Sequence, residues 1–384
     1  MISGRKEEIV IVGGGLAGTS AACILAEAGR SVLLIERDAE PRHKVCGEFL
    51  SIEAQTYLTR LGIDLEGLGA SRISRLRLIR KRKLTEVALP FAARGLSRRT
   101  LDEALLDQAR IRGARIIRGQ AVRSISADPS QVHAEIAAGD PISADAVFLA
   151  TGKHDVRGMK RASAGTMDDL IGFKVHYRLA MRQQQALEGL VEVILFSGGY
   201  AGLQMVEHGI ANLCLVVSRT CFDQVGKSWD ALLDHIASEC PHLAERLQGA
   251  QSLFERPLAI FQIPYGFLHE PDSSEQQGLF RLGDQVGVIP SFTGDGMSIA
   301  LHSGCLAASM YLAHGRTSSI FHHRIRSDIQ RSIRLASILN RAVRHAAGQQ
   351  AVFHFCRTWP AAMQHVTTLT RVHEASVHRA LVAS

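Results

Sequence analysis

The sequence predicts an α/β chain: a Rossmann-like parallel sheet assembled from three separate stretches, an inserted antiparallel β-sheet, and C-terminal helices. Three observations carry this. Residues 9–36 read as strand, glycine-rich turn, helix and strand in succession. Phe173–Leu179 instead alternates apolar with polar residues, the period of a half-solvated antiparallel strand. Gly278–Asp284 returns to buried-strand character ahead of a helix starting near Gly296, so the first sheet is completed only after the second has been made.

The elements follow in order. Ile9-Val10-Ile11-Val12 is short, continuously apolar and β-branched, as a parallel strand buried on both faces requires. The glycines of Gly13-x-Gly15-x-x-Gly18 have separate tasks: a tight turn, close backbone approach to a pyrophosphate, and close helix packing. Leu16–Ala28 reads as a helix whose unpaired amides and positive dipole face the phosphates. Gly29 ends it, and Ser31–Ile35 is the second strand. Glu36 stands at about the 20-residue offset where an acid accepts hydrogen bonds from a ribose 2′-hydroxyl. A lone glycine triplet is a weak signal and fits any Gly-rich turn; in this setting it predicts adenine-dinucleotide binding.

Further along, Arg72–Lys83 forms a basic hairpin, Ser97–Gln120 reads as arginine, helix, glycine and strand, and Ala144–Ala150 is a buried strand ending in Thr151-Gly152. Val191–Phe196, Tyr200–Val206 and Ile210–Val217 extend the alternating pattern, with Glu207-His208-Gly209 as a turn. From Phe321 the chain reads as helical and largely amphipathic. The resulting organisation has a discontinuous nucleotide domain at 1–70, 95–165 and 275–315, a substrate domain at 71–94 and 166–274, and a helical segment at 316–384.

Composition narrows the classes. Apolar residues at 46% and charged residues at 21% are globular values. Seven cysteines without a CxxC pair or His/Cys ligand spacing point to a reducing compartment and to no metal site. Met1–Glu8 has no hydrophobic signal core, no apolar run is long enough to cross a bilayer, and a cytoplasmic protein is the expectation. The net charge of +7 concentrates at Arg72–Lys83 and His314–His345. These are either solvated faces or a surface drawn to anionic lipid or an acidic carrier protein. Aromatic residues make up 5% and are not interleaved with the basic runs, so nucleic acid is not an expected partner.

The second motif is GDQVGVIPSFTGDGMSIAL, Gly283–Leu301. A strand ending in Gly-Asp places Asp284 where a carboxylate accepts hydrogen bonds from polyol hydroxyls. Pro290 and closely spaced glycines let the backbone pass a flat ligand before a helix whose positive end suits the negative charge of a reduced flavin. Alone, this reads equally as a loop and a capped helix; with the N-terminal fingerprint it points to FAD.

On these motifs, with RHKVCGEFLS at Arg42–Ser51, SRRTLDEALL at Ser97–Leu106 and LATG at Leu149–Gly152, the chain resembles the para-hydroxybenzoate-hydroxylase-like superfamily of FAD-dependent oxidoreductases, and within it the geranylgeranyl-reductase branch. The resemblance spans about Ile9–Leu312. It implies that Gly13, Gly15, Ala17, Gly18, Lys44 and Gly152 border FAD and that Glu36 binds the adenosine ribose. Arg37 and Arg98 would lie along the cofactor, and Asp284 would hold the ribityl chain. Gly294, Gly296 and Met297 would pass the pyrimidine edge, with Cys46 and Gly47 near the flavin face. One departure is Lys153-His-Asp-Val-Arg157-Gly158, where many relatives have a short Asp-Gly motif associated with FAD and NADPH. With no second glycine fingerprint either, NADPH or NADH would dock transiently, or a partner reductase would deliver electrons.

Cys46 is the catalytic candidate. A free cysteine is ordinarily a small buried hydrophobe, but Arg42, His43 and Lys44 upstream would favour thiolate. Glu48 reads as a proton relay or as a helix-start carboxylate, and His176, Tyr177, Tyr200, Gln204 and Tyr265 are candidate pocket residues on or beside the second sheet. Two chemistries follow from the resemblance. The superfamily favours a monooxygenase that hydroxylates an apolar aromatic or polyketide-like substrate through a C4a-hydroperoxyflavin, which is the reading taken. Cys46-Gly47 resembles reductases of carbon–carbon double bonds. A halogenase lacks support because Phe261-Gln-Ile-Pro264 carries no tryptophan, and a non-catalytic nucleotide- or lipid-binding escort is the remaining alternative.

Overall fold

The computed structural model describes residues 6–128, 130–162, 166–167, 169–271 and 276–382. Of the N-terminal stretch read for a signal core, residues 1–5 lie outside the described residues. The chain opens with β1 (Lys6–Val12), α1 (Leu16–Glu27) and β2 (Val32–Glu36), and β1 and β2 pair in parallel with Ile9 opposite Val32. Ile9, Val10, Ile11 and all of β2 are buried, as continuous apolar runs require.

A short β3 (Phe49–Leu50) and α2 (Ile52–Arg60) lead into the hairpin of β4 (Ser71–Arg80) and β5 (Lys83–Gly95), turned at Lys81-Arg82. Then come α3 (Arg98–Ile111), β6 (Arg115–Arg118), β7 (Val122–Ala127), β8 (Val132–Ile136) and β9 (Ile142–Leu149). Ser97 caps α3, its hydroxyl accepting from the Thr100 amide. The second sheet contains β10 (Leu170–Arg178), followed by α4 (Met181–Leu187), β11 (Gly189–Phe196), β12 (Gly199–Met205) and β13 (Ala211–Ser218). Helices α5 (Arg219–Gln224), α6 (Trp229–Glu239) and α7 (Pro241–Leu247) precede β14 (Gln251–Ser252), β15 (Leu258–Phe261) and the returning β16 (Leu279–Arg281). The chain ends with α8 (Gly296–His314), α9 (Ser318–Val343), α10 (Ala346–Thr358), α11 (Pro360–Leu369) and α12 (Glu374–Val382).

The first sheet runs β6-β2-β1-β9-β8-β7, with β16 joining β9 in parallel beyond the short β8 pairing. The second runs β14-β10-β13-β12-β11-β4-β5-β3, with β15 also on β10. Phe49-Leu50, sequentially within the nucleotide-binding stretch, thus ends the second sheet and ties the two together.

Two expectations are corrected. Phe173–Leu179 is not half-solvated: Leu170 through Tyr177 are all buried. Phe173, Val175 and Tyr177 pack under α5–α7, while Lys174 and His176 on the opposite face are covered by the 43–48 loop. The second correction is α8, 19 residues long and apolar enough to match a bilayer. Of its apolar 18-residue window 72% is buried, chiefly against α1, α9 and α12. Gly304 makes that crossing close, since a Cβ there would lie 2.2 Å from the Ala17 carbonyl oxygen. It is a core helix of the fold.

Part of the basic charge is paired with carboxylates. Arg75 and Arg77 both bind Glu86, Arg326 binds Glu270, and Arg344 binds Asp169.

Candidate functional site

The fingerprint glycines divide their tasks by geometry. Gly13 has φ +109°, and a Cβ there would lie 2.4 Å from the Ala150 carbonyl oxygen; one on Gly18 would lie 2.0 Å from the Gly13 carbonyl oxygen. Only glycine fits either place. Gly15 differs. A Cβ there would meet nothing closer than Arg98 Nη2 at 3.5 Å and Lys44 Nζ at 4.0 Å, so the protein leaves that backbone open. No side chain caps α1 there, which leaves its amide end available to an anion. Glu36 holds the turn, accepting from the Gly14 amide at 2.6 Å and the Asp38 amide at 2.9 Å.

These groups line a cleft of about 520 Å³ with Arg37, Lys44, Arg98, Gly152 and Asp284. It continues through Gly15, Arg98, Gly152 and Asp284 into a second cavity bordered by Ala17, Cys46, Gly47, Gly294, Gly296 and Met297. Every residue assigned to the cofactor therefore borders one continuous channel, except Gly18, which packs behind it. An extended dinucleotide with a flat ring at one end fits this shape: open backbone at Gly15 for the phosphates, Glu36 at one end and the α8 N-terminus at the other.

Cys46 borders the second cavity together with Arg98, and its Sγ accepts from the Glu48 amide at 3.4 Å, while the Arg98 guanidinium is held by Asp102 at 2.8 and 3.0 Å. The expectation that Arg42, His43 and Lys44 favour a thiolate is corrected. Arg42 binds Asp38, Lys44 binds Asp102 at 2.7 Å, and burial with nearby His176 and Lys174 pushes His43 down to about 4. Burial alone would raise the Asp102 carboxyl, but Arg98 and Lys44 outweigh it and hold Asp102 below its usual range.

Glu48 is fully buried at φ +59°, with its carboxylate bound to Lys174, to His176 Nε2 at 2.8 Å and to the Arg98 amide at 2.8 Å. Its backbone oxygen accepts from Leu96 N and Gln204 Nε2, and Asn212 Nδ2 donates to the Cys46 and Gly47 carbonyls. Three donors hold the carboxylate. It is a helix-start acid, at α3, whose anchorage fixes the Cys46-Gly47 backbone against the cavity. Burial opposes its charge, yet Lys174 and His176 hold the carboxyl below its ordinary 4.5. His43, Glu48 and His176 also bring potential metal-ligand atoms within 4.8 Å of one another. The Lys174 ammonium on Glu48 already supplies the positive charge a cation would bring.

A third cavity of about 230 Å³ shares Gly47, Phe49, Cys214, Ser291 and Gly294 with the second. Its wall is apolar: Leu76, Leu78 and Leu89 from the hairpin, Val191 and Val193 from β11, and Leu339, Val352 and Phe355 from α9 and α10. Of the five candidate pocket residues, Tyr200 and Gln204 line this cavity and Tyr265 lines the flavin-side one. His176 is engaged with Glu48, and Tyr177 packs in the core beneath the sheet. The sequence reading missed Lys174, Cys214 and Ser291, and missed that the C-terminal helices wall the cavity. Only Cys214 had an accessible signal, as a polarizable interruption in an apolar strand.

Residues 6–149 match the model of an FAD binding domain. A squalene monooxygenase of Brassica napus is 35% identical over 91 residues, 22% of this chain and 18% of that protein. A menaquinone reductase of Mycobacterium tuberculosis is 45% identical over 56 residues, 15% of this chain and 14% of that one. The matches thus span under a fifth of these curated relatives. Among solved structures, the flavin-dependent brominase Bmp2 has a TM-score of 0.77 at 17% identity, covering 95% of this chain and 93% of that one. A geranylgeranyl bacteriochlorophyll reductase-like protein of Thermoplasma acidophilum has a TM-score of 0.71 at 15% identity, with 98% and 96% covered. At such identities the likeness is one of fold, and it extends over nearly the whole chain.

Proposed function

Because the chain belongs to the para-hydroxybenzoate-hydroxylase-like FAD-binding superfamily, we propose that it is an FAD-dependent oxidoreductase, and specifically a monooxygenase of an apolar substrate. The observation that carries this is the apolar cavity sharing a wall with the flavin end of the channel. FAD supplies the redox chemistry when bound, and the chain's residues bind, orient and exclude water. Glu36 takes the adenosine ribose, Arg37 and Arg98 follow the cofactor, and Asp284 takes the ribityl hydroxyls. Gly294–Met297 presents the start of α8 to the pyrimidine edge, where the helix dipole stabilises negative charge.

Cys46 decides between the chemistries. Its thiol accepts from the Glu48 amide and borders the flavin cavity, whereas Gly47, Phe49 and Cys214 reach the apolar one. A proton donor to a substrate double bond belongs in the second place, so monooxygenation is favoured. The reductase reading draws support from the local identity to menaquinone reductases. A halogenase is disfavoured because no lysine lines the apolar cavity among the described residues.

The electron donor is proposed to be transient NADPH or NADH, or a partner reductase. Purified protein should show a flavin absorbance band that dithionite bleaches and air restores. Bleaching by NADPH or NADH alone would identify a direct donor; a colourless protein that cannot take up added FAD would instead support an escort role.

A further inference from the structure

At the junction of the flavin and apolar cavities lies a chain of three hydroxyls. Tyr265 donates to Ser291 Oγ at 2.6 Å, and the Tyr200 phenol shares a 2.6 Å hydrogen bond with the same oxygen. Ser291 lines both cavities, Tyr200 the apolar one and Tyr265 the flavin side. The three groups carry three protons and make two bonds among themselves. Tyr265 spends its proton on Ser291, so the remaining one sits on Ser291 or Tyr200, at the shared wall. Burial pushes both phenols up, so they stay neutral donors. Elsewhere in the apolar cavity, the hydroxyls of Thr293 and Thr367 donate to the main-chain oxygens of Pro290 and Gln364.

We propose that Tyr200 and Ser291 form a binding subsite for one acceptor oxygen on an otherwise apolar substrate, and that this oxygen is a ketone- or quinone-type carbonyl. A spare donor in an apolar enclosure costs stability unless a ligand satisfies it. An alcohol would bring a proton needing its own acceptor, whereas a carbonyl brings acceptors only. The subsite fixes the substrate's register, placing the carbons next to the carbonyl at the flavin rim. This inference rests on the apolar cavity being the substrate pocket.

The test uses FAD-loaded protein and two probes of one skeleton, 1-tetralone and tetralin, which differ by the carbonyl oxygen. Affinities are read by calorimetry. The double variant Tyr200→Phe/Ser291→Ala should weaken tetralone about 5- to 10-fold, the size of one neutral hydrogen bond, and change tetralin less than about 2-fold. Tyr200→Phe alone, which keeps the serine donor, should weaken tetralone about 2- to 5-fold and serves if the double variant does not fold. Equal changes for both probes would overturn the subsite while leaving the cavity assignment intact, as would happen if the cofactor itself took the spare proton. Failure of the wild-type protein to bind either probe would overturn both.

Discussion

The cofactor channel and the apolar cavity meet at Gly47, Phe49 and Gly294, yet they are built in opposite ways. The channel is made of backbone: an uncapped helix end, open glycine at Gly15 and short loops at strand edges. The cavity is made of side chains brought from the hairpin, β11, β12, α9 and α10, far apart in sequence. A backbone site tolerates change poorly at a few positions and is indifferent elsewhere. A side-chain cavity spreads its properties over many residues, each of modest weight.

The sharpest way to break that contrast is Gly15→Val. The protein offers no atom closer than 3.5 Å to a new Cβ, so the chain should fold, but in the proposed binding mode the added side chain would occupy the place of the phosphates. FAD retention should be abolished with little change in apoprotein melting temperature. Gly18→Val should instead prevent folding, since even a Cβ would lie 2.0 Å from the Gly13 carbonyl oxygen. Normal flavin occupancy in Gly15→Val would remove the channel assignment.

Next in size is Lys174→Met, which leaves the Glu48 carboxylate buried without its ammonium partner. Breaking such a pair costs about 3–5 kcal/mol, and denaturant unfolding should report a loss of that order. Because Glu48 titrates below its ordinary 4.5 in the folded state, its contribution is present above pH 4.5 and is lost as pH falls through the folded value. Acid unfolding of the wild type should therefore steepen below about pH 4.5, and Glu48→Gln should flatten that limb.

Asp295 titrates in the other direction. Buried at the start of α8, it is pushed up to about 7 by burial, which Arg371 only partly offsets. A carboxyl raised in the folded state opposes folding once ionised. Stability should decline as pH rises from about 4 to about 7 and level off above. Asp295→Asn should remove that decline in melting temperature, and a variant that tracks the wild type across this range would show that another group is responsible.

Smaller still is Asp284→Ala, which removes ligand hydrogen bonds rather than core volume. FAD should bind more weakly, by about 1.5–3 kcal/mol if the bond is charge-assisted, with thermal stability of the apoprotein unchanged. If stability collapses and flavin affinity does not move, Asp284 belongs to the scaffold.

The same contrast explains what could be read in advance. Gly13, Gly15, Gly18 and Glu36 lie within one local unit whose spacing encodes its geometry, so the channel was legible from the chain. Gly283–Met297 was legible for the same reason. The alternation at Phe173–Leu179 gave the strand but not its surroundings. Lys174 and His176 look solvent-facing until Glu48, 126 and 128 positions away, is seen to cover them. Cys46 was marked by its basic neighbours, but Asp38 binds Arg42 and Asp102 binds Lys44, carboxylates that the local sequence does not reveal as their partners. Nothing local to Ser291 shows that two tyrosines converge on it.

The most direct test of the account is oxidation of the dithionite-reduced, FAD-loaded protein by oxygen in a stopped-flow spectrometer, for the wild type and for Cys46→Ser. An oxygen-using enzyme whose Cys46 thiol lies outside the apolar cavity and outside the chemistry should show a transient flavin absorbance between the reduced and oxidised spectra, equally in both proteins. A single-step return to the oxidised spectrum in the wild type, or a transient that disappears in Cys46→Ser, would contradict it.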